Sequence, residues 1–140
     1  MRATFLILLA LLGAAPATAQ AADFRYFKTP SANIVCYISS AGVVCGIQSG
    51  LKPAPKRRDC HGGGDFVSNR LELGKTGRAH PQTCAGDTGP FAGLTEGART
   101  LRYGKTIKAG RLRCTSRKNG LTCRNLGHGF FLSRDHWRAL

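Results

Sequence analysis

Residues 97–134 hold ten lysines and arginines (Arg99, Arg102, Lys105, Lys108, Arg111, Arg113, Arg117, Lys118, Arg124 and Arg134) and no aspartate or glutamate. Guanidinium groups grip phosphates and carboxylates bidentately, and lysine adds a mobile point charge, so this stretch is the chain's best candidate for anion chemistry. The plainer reading is a solvated basic face. The second candidate is Gly127-His128-Gly129-Phe130. Glycines on both sides let a backbone or a ligand approach the histidine closely. With Asn125 and Asp87, His128 could form a polar pocket or act as general acid and base. The plainer reading is a histidine that caps a turn.

Three other motifs carry less. Asp87-Thr88-Gly89 spells the aspartic-protease signature, but that chemistry needs two carboxylates sharing a proton, and Cys84-Ala85-Gly86 is not the apolar strand that should precede it. Gly74-Lys75-Thr76 ends like a phosphate loop, yet the glycine required five residues before Gly74 is Asn69. His61, His80, His128 and His136 are scattered without zinc-like spacing, so neither a metal nor any cofactor is implied. Histidines with lysine and arginine could instead make a ribonuclease-like site, the leading enzymatic alternative.

The six cysteines set the frame. Cys36 to Cys45 and Cys114 to Cys123 are the same phrase twice: eight residues between the cysteines, and a glycine three residues before the second. Folded as an antiparallel hairpin with the cysteines opposed, the first places Ile38 and Val43 on the cysteine face, with Tyr37 and Val44 opposite. The second places Leu112, Cys114, Leu121 and Cys123 on one face. Arg111, Arg113, Thr115, Thr122 and Arg124 fall on the other, and Arg117 follows the same parity. Opposed strand residues have Cα atoms about 4.5–5.5 Å apart, within disulfide reach. The expected pairs are Cys36–Cys45 and Cys114–Cys123, with Cys60–Cys84 left by elimination. The turns are Ser39-Ser40-Ala41-Gly42, where Gly42 can take a positive φ, and Arg117-Lys118-Asn119-Gly120. Asn119-Gly120 alone could also make a two-residue loop in a shifted register.

Disulfides presuppose an oxidising compartment, and the start of the chain supplies a route to one. Met1-Arg2, the apolar run Ala3 to Ala14 and the small-x-small site Ala17-Thr18-Ala19 predict a signal peptide over residues 1–19, with a single secreted domain over 20–140. The apolar run is shorter than the roughly 20 residues a permanent span needs. Without Arg2, 20 of the 21 basic residues remain against 7 acidic ones, a net +13 for residues 20–140. Such a charge favours anionic partners.

Around the hairpins, Phe24 to Phe27 reads as a first strand. Residues 48–65 and 74–97 read as loops rich in Gly and Pro. Thr100 to Ile107 reads as one strand with a turn at Gly104, and Phe130 to Leu132 as a short strand. Ser133 to Trp137 reads as a last helical turn capped by Ser133. The fold class is therefore mainly β: a small disulfide-stapled antiparallel β sandwich or barrel with long loops. Loops of this length are functional or tethered, and Cys60–Cys84 would be the tether.

The pattern resembles a family of small secreted bacterial domains of unknown function. The matching residues are Phe27-x-x-Pro30-Ser31-x-Asn33-Ile34-x-Cys36, Gly42-x-x-Cys45, Pro53-x-Pro55, Cys60, Cys84-x-Gly86-Asp87-Thr88, Leu101-x-Tyr103-Gly104, Gly110-x-x-x-Cys114, Gly120-x-x-Cys123-x-Asn125, Gly127-His128-Gly129-Phe130 and Ser133-Arg134. The chain departs from it at Gly46, where an acidic residue is more usual, and at Lys52, where a tryptophan is. The resemblance implies a disulfide-linked exported domain and no particular activity.

The functional expectation is a non-catalytic, monomeric binding module for an anionic ligand, an envelope polymer or lipid head group, held by Arg111, Arg113, Arg117 and Arg124. Nucleic acid is a weaker expectation, because only Tyr103 interleaves the basic run before Phe130 to stack bases. The alternatives are a small basic hydrolase using His128 and an inhibitor of an extracellular enzyme. A basic target such as lysozyme is disfavoured by charge repulsion.

Overall fold

A computed structural model describes residues 24–86 and 94–140. The expected signal peptide and Asp87 lie outside these. Two sheets face each other across one apolar core, and neither closes into a barrel. The first sheet contains β1 (Arg25–Lys28), β2 (Ile34–Ser39), β3 (Gly42–Ile47), β5 (Arg70–Gly74), β6 (His80–Pro81) and β8 (Arg99–Thr100), in the order β6-β5-β3-β2-β1-β8. The second contains β9 (Thr106–Ala109), β10 (Leu112–Arg117), β11 (Gly120–Asn125), β12 (His128–Leu132) and β13 (Trp137–Ala139), in the order β13-β12-β11-β10-β9. A two-stranded ribbon, β4 (Asp65–Phe66) with β7 (Cys84–Ala85), and one helical turn, α1 (Leu94–Gly97), complete the described residues. None of their helices is long and apolar enough to cross a membrane.

The repeated cysteine phrase sits at the centre of both sheets. Cys36 is opposite Cys45, and Cys114 is opposite Cys123, each pair with Cα atoms 4.1 Å apart. The repeat extends beyond the hairpins. In the first sheet Phe27, Cys36, Cys45 and Leu71 form a row across four strands. In the second, Ile107, Cys114, Cys123 and Phe130 form the matching row. Each sheet is thus built on a four-stranded antiparallel meander stapled in the middle. All four hairpin cysteines, Phe27, Leu71 and Phe130 belong to one buried cluster. The third disulfide, Cys60–Cys84, fixes the loop of residues 48–64 to β7, with Cα atoms 5.6 Å apart.

Several sequence expectations are corrected. Thr100 to Ile107 is not one strand: β8 pairs in parallel with β1 in the first sheet, and β9 pairs with β10 in the second. The chain crosses between sheets at residues 101–105, where Gly104 has φ 78°. Ser133 does cap the following amides, accepting from the Asp135 and His136 N–H groups at 3.3 and 3.1 Å. The chain then extends into β13 rather than a helix, because Trp137 has an edge to join, opposite Leu132. Gly42 does not take a positive φ. A Cβ there would lie 3.0 Å from the Leu73 carbonyl oxygen, so glycine serves the close approach of β5.

Ser116 faces the core opposite Leu121, fully buried, and its hydroxyl has no hydrogen-bond partner among the described residues. An unsatisfied buried hydroxyl costs about 1–3 kcal/mol. Ser116→Ala is therefore expected to leave stability unchanged or raise it by about 1 kcal/mol. Denaturant unfolding that shows a loss greater than this would mean the hydroxyl is bonded in solution.

Candidate anion-binding groove and sheet face

On one side of the sandwich, β1 and β8 edge the first sheet and β9 edges the second, leaving a seam between them. A groove of about 980 Å³ runs along it. Arg25, Arg99, Arg102, Lys105 and Lys108 line it, and no Asp or Glu is among its described lining residues. All five are exposed, so no single charge is worth much in water. Together they set up a field that anions feel. The floor is apolar, with Phe27, Leu101 and Ile107. The Arg25 guanidinium donates to the Lys108 carbonyl, linking the two sheets across the groove.

The segment carrying Arg102 and Lys105 is held by backbone bonds. Leu101 N–H donates to Lys28 O at 2.8 Å, Gly104 N–H to Ser116 O at 2.7 Å, and Ser116 N–H to Lys105 O at 3.0 Å. Its cations are presented from a fixed loop, which lowers the ordering cost of binding.

The outer face of the second sheet continues this surface. Lys108, Arg113 and Arg124 are direct cross-strand neighbours on β9, β10 and β11. Like charges placed directly opposite destabilise a sheet. An anion over the row would relieve that repulsion. Thr106, Thr115 and Thr122 form the next row, with Thr106 and Thr115 hydroxyls 2.7 Å apart.

The four arginines singled out in the sequence do not all share this face. Arg113 and Arg124 lie on it, and Arg117 follows the same parity at the end of β10. Arg111 does not, because β10 begins at Leu112 and Gly110-Arg111 is a turn with Gly110 at φ 57°. Arg111 borders a smaller hollow at that end, with Lys75 and Asn125. Sequence parity missed Arg25, Arg99, Arg102 and Lys105, because the groove joins strands of different sheets. The signal available for Arg99, Arg102 and Lys105 was the acid-free basic stretch of residues 97–134; Arg25, outside it, had none.

Of the histidine candidate, Asp87 lies outside the described residues. Asn125 is opposite His128 across β11 and β12, but it is buried, and its amide donates to the Gly74 and Lys75 carbonyls at 2.9 Å each. That is a structural clamp between the two sheets. His128 is exposed at the start of β12. Gly129 is explained by packing: a Cβ would sit 2.6 Å from the Cys123 carbonyl oxygen and 3.0 Å from Cγ of Arg124. No cluster of three or more His, Cys, Asp or Glu residues is arranged as a metal site among the described residues. Every described cysteine is in a disulfide.

The residues that carried the resemblance now have structural roles: Cys36, Cys45, Cys114 and Cys123 staple the core, Gly129 admits a neighbouring strand, and Asn125 ties the sheets. A family model matches residues 7–139. The chain belongs to the family of unknown function DUF6636. No curated protein and no solved structure matches it. For DUF6636, then, the cysteine hairpins of this chain describe the scaffold, and the chemistry must be read from its surface.

Proposed function

We propose that this protein is an exported, non-catalytic module that binds anionic polymers or head groups through the seam groove and the adjoining face of the second sheet. The carrying observation is the groove itself: five cations, an apolar floor and no described acidic residue in the lining. The Lys108-Arg113-Arg124 row supports the same reading, since a fold that retains a repulsive ladder gains when an anion neutralises it. Three disulfides suit an oxidising destination, and the predicted signal peptide supplies the route.

The test is equilibrium binding of the oxidised protein to polyphosphate, lipopolysaccharide, anionic vesicles and peptidoglycan. Affinity for at least one should fall steeply between about 50 and 200 mM salt, as counter-ion release requires. Arg99→Glu with Lys105→Glu should weaken binding by about a hundredfold at the lower salt, and by less at the higher, where screening is stronger. Both residues are exposed, so unfolding behaviour should not change. An absence of binding to every probe at low salt would end the proposal.

A further inference from the structure

We propose that the ligand is an acidic polysaccharide, and that a cleft next to the groove reads its sugar rings. This rests on the anion-binding reading above and narrows it to one polymer class. The cleft, about 660 Å³, lies at the end of the sandwich where the β1–β2, β10–β11 and β12–β13 turns meet. It joins the groove through the loop of residues 101–105: Arg102 and Lys105 line the groove, and Tyr103 between them lines the cleft. A chain lying along the groove is therefore led over that loop into the cleft.

The cleft's chemistry differs from the groove's. Its aromatic surface is Phe131 and His136, with ring centroids 5.2 Å apart, and Tyr103, which is 42% exposed. Asn33, Asn119 and Asp135 supply planar amide and carboxylate groups. Arg117 and Arg134 supply cations. Aromatic faces take the C–H faces of pyranose rings, amides both donate to and accept from ring hydroxyls, and a carboxylate accepts from them. Arginine takes the ring's carboxylate or sulfate. A bare phosphate polymer would use the cations and leave the rest idle.

Asp135 separates this occupant from single-stranded nucleic acid. Its side chain is 79% exposed and lies 3.9 Å from Arg134. Its charge repels either polyanion, but a carboxylate also accepts hydrogen bonds from ring hydroxyls, which a uronate polymer offers on every residue and a single-stranded DNA chain does not. A stacking channel for nucleic acid gains from cations and aromatics alone.

The oxidised protein is titrated with three labelled uronate polymers (polygalacturonate, hyaluronate and heparin), with polyphosphate, and with single-stranded oligothymidine, all at one salt concentration. At least one uronate polymer should bind about tenfold more tightly than polyphosphate of matched charge, the worth of a few net hydrogen bonds and a ring contact. Tyr103→Ala should remove that advantage and leave polyphosphate affinity and the unfolding midpoint unchanged. Asp135→Ala should weaken the preferred uronate polymer and strengthen polyphosphate. Uronate polymers bound no better than polyphosphate, oligothymidine bound best, or Tyr103→Ala weakening all probes equally would each overturn the inference while leaving the anion-binding function standing. Failure of every probe to bind would overturn both.

Discussion

With Cys114→Ala and Cys123→Ala together, the oxidised protein is expected to lose about 4 kcal/mol of stability. The disulfide closes a sequence separation of 9, for which the chain-entropy relation gives about 2.7 kcal/mol. Both cysteines are fully buried in the row Ile107-Cys114-Cys123-Phe130. Removing two sulfur atoms there leaves unfilled space, worth roughly another 1–2 kcal/mol. Against a typical total of about 5–15 kcal/mol, the variant should be partly unfolded at physiological temperature. The comparison that makes the expectation specific is Cys60→Ala with Cys84→Ala. That pair closes a sequence separation of 24 and has a larger entropy term, about 3.5 kcal/mol. It is only half-buried, however, and lies outside the core cluster, so little cavity cost is added. Denaturant unfolding of both variants decides. A larger loss from the Cys60–Cys84 deletion would show that the hairpin staples are not the centre of the fold.

Gly120→Ala should cost about 3 kcal/mol, although the residue stands at the end of an exposed turn. Gly120 has φ 149°, a region that L side chains rarely adopt. A Cβ would lie 2.6 Å from the Leu132 carbonyl oxygen and 2.7 Å from the Phe131 ring. Backbone strain contributes about 1–3 kcal/mol and overpacking a similar amount. Phe131 must move to admit the methyl group, and Phe131 lines the cleft beside His136. The same variant should therefore disturb any ligand that stacks there. Thermal unfolding is the check, with Asn119→Ala as the control one residue earlier. Equal midpoints for the two variants would mean that β12 can yield at no cost.

The two cysteine hairpins were legible because period-two alternation and the equal spacing of the cysteines agree on one register. Arg117 opposite Gly120 and Ser39 opposite Gly42 follow directly from it. The shifted pairing around Asn119-Gly120 would have separated Cys114 from Cys123, and the structure does not adopt it. The short strands were not legible. β4, β6, β7 and β8 have two residues each, too few for any periodicity. They exist because a neighbouring edge or a disulfide holds them. β13 was hidden for a related reason. Ser133, Asp135 and His136 carry a cap signal that a helix and a tight turn share, and only the edge of β12 decides between them.

Sequence alone determined the scaffold: a β domain stapled by Cys36–Cys45, Cys60–Cys84 and Cys114–Cys123, basic along residues 97–134. Side-chain parity and disulfide geometry are local constraints, so they survive without knowledge of the rest of the chain. Tertiary structure alone decided where the cations gather. Arg25 and Arg99 belong to the first sheet, Lys108 to the second, and Arg102 and Lys105 to the crossing between them. Their meeting in one groove depends on how two stapled meanders pack through a shared core, a long-range outcome that no spacing along the chain records.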